Sequence, residues 1–169
     1  SRLPLTHINN LDDSKKLRSN QRLAILAEFD SLAKIEPDNY IRLNVRISAR
    51  KVDKLRIRQC YLELLNRVGK KFLPEDTLYL FDYGIPIPNQ FTHYRSFKKG
   101  DSIIPVIALA SISAKESRDK YMKNTVHKKF PNYGFDSHVG YGTKSHREAI
   151  LNNGMCNQHR SSWIKQTAL

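Results

Sequence analysis

Residues 40–47, Tyr-Ile-Arg-Leu-Asn-Val-Arg-Ile, alternate strictly, with Ile41, Leu43, Val45 and Ile47 on one side and Tyr40, Arg42, Asn44 and Arg46 on the other. A two-residue period belongs to a strand with one buried face. Ser48 then stands where it can cap a helix reaching about Lys70, in which Val52, Cys60, Leu64 and Val68 form an apolar row. Gly69 and Pro74 bracket the helix end. A short apolar run, Thr-Leu-Tyr-Leu-Phe-Asp at 77–82, reads as a second strand. Strand, helix and strand in succession predict a βαβ unit with two parallel strands, which places the chain in the α/β class.

Residues 13–34 carry a helical pattern, with Ser19 as N-cap and Leu23, Leu26 or Ala27, and Ala33 near helical spacing. Residues 91–99, Phe-Thr-His-Tyr-Arg-Ser-Phe-Lys-Lys, read as extended. Pro105 is tolerated only in the first turn of a helix, so Ser102 as N-cap predicts one helix from 103 to about 122. A short helix over 145–153 is closed by Gly154. A chain of 169 residues is long enough to bury a sizeable core, and one domain is expected.

Lys and Arg number 29 against 16 Asp and Glu, a formal net charge of +13. Such a surface attracts polyanions, nucleic acid first and an anionic membrane surface second. The longest apolar run, Ile103 to Ala110, is far short of the roughly 20 residues that span a bilayer, and no signal-peptide pattern opens the chain. Cys60 and Cys156 have no spacing that suggests a disulfide framework or a zinc site. The expectation is a soluble cytoplasmic protein in a reducing compartment. The chain opens Ser-Arg-Leu-Pro-Leu-Thr-His, without an initiator methionine.

Asp82 ends the 77–82 strand, and ligands of open α/β sheets bind beyond the carboxyl ends of parallel strands. A turn-forming Asp is the competing reading. Asp119 shares a helix row with Ser111 and Lys115, while Ala108, Ala110, Ser111 and Ala114 let that helix approach a sheet closely. The competing reading is a helix leaving the core, with Lys115 and Asp119 as a solvated pair. Two facing carboxylates in so basic a chain suit phosphate hydrolysis, where acids hold divalent cations beside a polyanion. Lys15, Lys16, Lys98 and Lys99 would neutralise backbone phosphates, or serve as solubilising surface. The loop at 138–146, His-Val-Gly-Tyr-Gly-Thr-Lys-Ser-His, interleaves rings, glycines and hydroxyls, and suits either contact with a sugar or an ordinary packed surface loop.

Taken in order, the segments LDDSKKL (11–17), SARKVDKLRIRQC (48–60), LFDYGIPIP (80–88), KKGDSIIPVIALASISAKESRDKYM (98–122), FPNYGFDSHVGYGTKSH (130–146) and HRSSW (159–163) resemble type 2 ribonuclease H, ribonuclease HII. The resemblance implies an RNase H-like α/β fold, a mixed central sheet flanked by helices with a small helical C-terminal portion. It also implies four acidic residues with two divalent ions, Mg2+ or Mn2+. The implied partners are RNA/DNA hybrid and duplex DNA with an embedded ribonucleotide, cut on the ribonucleotide's 5′ side to leave 3′-hydroxyl and 5′-phosphate ends, by a monomer that needs no membrane. Asp82 and Asp119 look like two of the metal acids. Tyr141 looks like the ring that stacks at the RNA-to-DNA junction with Thr143 beside it, and Lys15 and Lys16 fall in the motif near the scissile bond.

The family pattern opens with a strand bearing an Asp-Glu pair and a Gly-Arg-Gly loop, but this chain has no Asp-Glu dipeptide and its first glycine is Gly69. The expectation is a single domain over 1–169 without the family's N-terminal strands, whose segment from about 130 to 169 contacts substrate. Its activity by itself would be incomplete. The alternative is a non-catalytic nucleic-acid-binding or ribonucleoprotein component built on the same fold. Tyr83 stands where the family has glycine, which bears on the turn after Asp82.

Overall fold

A computed structural model describes residue 8 and residues 11–164. The opening residues 1–7 and the end of the expected C-terminal segment, 165–169, lie outside the described residues. The chain groups into two compact units, Ser1–Val45 with Tyr61–Glu116, and Arg46–Cys60 with Ser117–Leu169.

Helix α1 spans Ser19–Ile35, and its N-cap is Arg18 rather than Ser19. Arginine carries no acceptor, so the end is closed from within: the Gln21 side chain accepts the Arg18 N–H at 2.8 Å. Helix α2 spans Ala49–Gly69 and is interrupted at Arg56, which has φ 64° and ψ 163°. Ser48 caps it as expected, its Oγ accepting the Lys51 N–H at 3.3 Å. Strands β1, Tyr79–Asp82, and β2, Tyr94–Phe97, pair in parallel with Tyr79 opposite Tyr94 and Asp82 opposite Phe97. The protein is thus mixed α/β, dominated by helices, with a small two-stranded parallel sheet among the described residues.

The expected βαβ unit is corrected here. Residues 40–47 join no sheet, and the partner of β1 is β2, reached through residues 83–93 without a helix. A strand exists only where a second backbone accepts and donates its bonds. Among the described residues no backbone–backbone bond reaches 41–47. Side chains tether the segment instead: Arg42 donates to both Asp30 oxygens at 2.6 and 2.8 Å, and Asn44 bonds to buried Ser113.

The single helix expected from Ser102 is divided. A one-turn helix α3, Gly100–Ile103, is followed by extended Ile104, and α4 runs from Pro105 to Tyr121. The residue before a proline is pushed out of the helical region, so Ile104 breaks the run and Pro105 begins the next helix without losing a bond. After α4 a π-helical turn, Met122–Val126, leads into α5, His127–Lys129. Helix α6 spans Phe135–His138, and α7 spans Lys144–Asn153.

The first unit has two apolar clusters. Ile25, Leu26 and Phe29 of α1 pack with Leu109 and Ile112 of α4, while Tyr79 and Phe81 of β1 pack on Phe91, flanked by Leu65 and Val68 of α2. The second unit packs Met122, Val126, Tyr133, Phe135 and Ile150 together.

Candidate active site

Parallel pairing in register brings the carboxyl ends of β1 and β2 to one place, so Asp82 ends beside the turn that follows Phe97. That turn is Lys98-Lys99-Gly100. Lys99 adopts the left-handed conformation with φ 55°, and the Gly100 N–H donates to Asp82 Oδ1 at 3.0 Å. The turn packs closely at Gly100, where a Cβ would lie 2.9 Å from Ile107 Cδ1, the movable end of that side chain, and 3.5 Å from the Asp82 Cα. Tyr83 needs no glycine conformation: Gly84 takes the positive φ of 88°, and the Tyr83 ring lies exposed with the Lys98 ammonium 5.5 Å from its centroid.

These groups line a cavity of about 530 Å³ together with Asp13, Lys15, Lys16, Asp101 and Ser102. Five residues singled out in the sequence, Asp82, Lys15, Lys16, Lys98 and Lys99, therefore share one cavity. Two carboxylates there, Asp13 and Asp101, were not anticipated. The Lys15 ammonium is 4.0 Å from each of them. Asp101 was findable: once 94–97 is read as a strand parallel to 79–82, the turn through 101 falls beside Asp82.

The lysine turn is held by a buried ion pair. Arg22 Nε donates to Glu116 Oε1 at 2.6 Å, and its Nη1 donates to the carbonyls of Ser14 and Leu17 at 3.1 and 2.6 Å, which flank Lys15 and Lys16. The Ser14 and Ser111 hydroxyls meet at 2.9 Å. Lys16 reaches Asp12 at 3.1 Å. The Asp12 carboxyl is held below its ordinary range, first by the Asp13 N–H and then by Lys16, while the same pairing keeps the Lys16 ammonium charged to higher pH.

Asp82, Asp101 and Asp13 supply hard oxygen donors, the chemistry that suits Mg2+ or Mn2+. Asp82 keeps Oδ2 outside its bond to Gly100. Among the described residues no group of three or more His, Cys, Asp or Glu converges closely enough to hold a metal ion.

The other expected residues belong to the second unit. Asp119 lies half-buried on α4 next to Arg118, whose guanidinium is pulled below its ordinary range by burial, with Asp119 opposing the shift. Tyr141 is 60% exposed on the loop between α6 and α7. Thr143 is the N-cap of α7, accepting the His146 N–H at 3.3 Å, so its side chain has a structural task that the residue pattern alone does not reveal. Asp53 ties α2 to the 161–162 turn, accepting from the hydroxyls and N–H groups of Ser161 and Ser162 at 2.6–3.3 Å.

No helix among the described residues is long and apolar enough to cross a membrane. Residues 5–166 match the family model of ribonuclease HII. The chain is 33% identical over 159 residues to the ribonuclease HII of Delftia acidovorans, covering 94% of this chain and 64% of that protein. It is 38% identical over 154 residues to the ribonuclease HII of Azorhizobium caulinodans, covering 90% and 56%. With the ribonuclease HII of Chlorobium phaeobacteroides it shares 34% over 166 residues, covering 94% and 75%. The chain thus spans between about half and three quarters of the length of these curated relatives. A match of this extent, over all the segments that build the Asp82 cavity, means that the chain belongs to the ribonuclease HII family.

Proposed function

We propose that this chain is the phosphate-gripping and part of the metal-holding portion of an endoribonuclease. It would act on the RNA strand of RNA/DNA hybrids and on the 5′ side of single ribonucleotides in duplex DNA, as a cytoplasmic monomer. The observation that carries this reading is the cavity in which Asp82 and Asp101 stand among Lys15, Lys16, Lys98 and Lys99. Lysine ammonium groups neutralise the phosphates that approach, and the two carboxylates would hold Mg2+ or Mn2+ against the scissile phosphate. When bound, one or two such ions lower the pKa of an attacking water and offset charge on the leaving oxygen. Asp119 is proposed as a further ligand on the family resemblance. Tyr141 is proposed as the ring stacked at the RNA-to-DNA junction, with residues from about 130 onward contacting the duplex.

The donor set bears on rate. With no three-acid cluster among the described residues, we expect weak ion binding and cleavage near zero by the chain alone. The same observation favours a second reading, a binding component that grips nucleic acid without cutting it. Cleavage of a duplex with one embedded ribonucleotide, with and without divalent ion, separates the two. Turnover by the chain preceded by a strand with Asp-Glu and Gly-Arg-Gly, dependent on the ion and on Asp82, supports the nuclease, and tight binding without turnover by both forms supports the binding component.

A further inference from the structure

Tyr83 lines the Asp82 cavity with an aromatic ring that neither the carboxylates nor the phosphate-neutralising lysines account for. Its backbone is fixed on both sides. The Tyr83 N–H donates to the Phe97 carbonyl at 2.9 Å, which carries the pairing of β1 and β2 one residue past Asp82, and Gly84 then turns the chain with φ 88°. Asp82 itself is seated by the Gly100 N–H. The side chain, by contrast, is spent on little. The ring is 66% exposed, and among the described residues its hydroxyl has no hydrogen-bond partner. The Lys98 ammonium lies 5.5 Å from the ring centroid.

A ring left in water contributes little of the burial that makes aromatic residues useful in a core, and a phenol with an unused hydroxyl still has a donor and an acceptor to offer. Lys98 fixes what can reach it. A phosphate held by that ammonium carries its own sugar, which then stands within one nucleotide's reach of the ring. Bases in a duplex are stacked inside, so a ring on the protein surface meets the sugar first. The wide, shallow minor groove of an A-form helix displays its sugars and their 2′-hydroxyls, and the 2′-hydroxyl is the group that tells RNA from DNA.

The geometry points to Tyr83 as a specificity residue for the RNA strand: its ring packs on the sugar of the nucleotide whose phosphate Lys98 holds, and its hydroxyl bonds to that sugar's 2′-hydroxyl. This rests on the reading of the Asp82 cavity as a site for RNA/DNA hybrid. Lys98 supplies attraction that any duplex feels, while Tyr83 supplies the difference between hybrid and DNA.

The test is the affinity of the intact chain for RNA/DNA hybrid over plain DNA duplex of the same sequence, measured by fluorescence anisotropy across a salt series. Lys98→Ala should lower the slope of log affinity against log salt by about one for both duplexes. Tyr83→Ala should leave both slopes as they are and lower the hybrid-to-DNA ratio about five- to a hundredfold, the span of one stacked ring. Tyr83→Leu, which keeps bulk without ring or hydroxyl, should match it. Tyr83→Phe should restore part of the ratio and stay about two- to tenfold below the original chain, the loss of one hydrogen bond. A ratio unchanged in Tyr83→Ala would overturn the proposal, as would an original chain that binds both duplexes equally. A slope reduced as far as in Lys98→Ala would overturn it too, since the ring would then merely seat that ammonium. Tyr83→Phe equal to the original chain would overturn the bond to the 2′-hydroxyl. Failure of the nuclease reading has a different signature: a Tyr83-dependent ratio together with no cutting by the chain preceded by a strand with Asp-Glu and Gly-Arg-Gly.

Discussion

At the scale of single residues, the cavity depends on Asp82 being seated by backbone rather than by a charge partner. Its Oδ1 bond to the Gly100 N–H can be kept by an amide oxygen, so Asp82→Asn should fold, with stability changed by about 1 kcal/mol or less in the absence of metal. The same change should remove most of the thermal stabilisation that Mn2+ gives, and Asp101→Asn should do likewise. A Mn2+-dependent shift in melting temperature checks both, and an unaltered shift in either variant would remove that residue from the ligand set. Gly100→Ala tests the packing instead. The added Cβ meets Ile107 Cδ1 at 2.9 Å, the movable end of that side chain, so the turn that holds Asp82 should stay in place at a cost of about 1 kcal/mol in urea unfolding. Asp82 and the four lysines were legible because each falls in a motif whose residue types announce charge chemistry. Asp101 and the Arg22–Glu116 pair were not, since their roles come from contacts between segments distant in sequence.

At the scale of elements, ion pairs and caps decide what is presented. Glu116→Ala would leave the buried Arg22 guanidinium uncompensated, a loss of about 3–5 kcal/mol, and would loosen the carbonyls on either side of Lys15 and Lys16. Equilibrium unfolding measures the first effect, and hybrid affinity the second. Asp53 is held down to about 2, first by the Ser162 hydroxyl and also by Ser161. Because that folded-state value is depressed, the tie to the 161–162 turn contributes stability above about pH 4 and loses it as pH falls toward 2. Asp53→Ala should therefore lower the melting temperature at pH 7 and change it little at pH 2. The helices were readable from their periodicity, and Ser48, Pro105 and Gly154 mark ends that the structure keeps within a few residues. Residues 40–47 misled because alternation records a face to be buried, not the neighbour that pairs with it. The pairing of β1 with β2 was hidden because Tyr94–Phe97 alternates weakly and is mostly exposed.

At the scale of the molecule, our proposal divides two roles: the charge of +13 would govern encounter with duplex, and the Asp82 cavity the chemistry done on it. Hybrid binding should weaken steeply with salt, each phosphate contact adding about 0.9 to the log–log slope, and Lys98→Ala with Lys99→Ala should lower that slope by about two. A flat salt response would separate the charge from binding altogether. That the chain forms one domain is our proposal from its length and from a single family match over residues 5–166. The central claim is that Asp82 lies at a metal-dependent cutting site for ribonucleotides. Its most direct test is cleavage of a duplex with one embedded ribonucleotide, in Mg2+ or Mn2+, by this chain, by the chain preceded by a strand with Asp-Glu and Gly-Arg-Gly, and by that extended chain carrying Asp82→Asn or Asp119→Asn. We predict cleavage near zero for the chain alone, a rise by orders of magnitude in the extended chain with cuts 5′ of the ribonucleotide, and loss in both substituted forms. Cleavage that survives Asp82→Asn would contradict the account, as would robust cutting by the unextended chain.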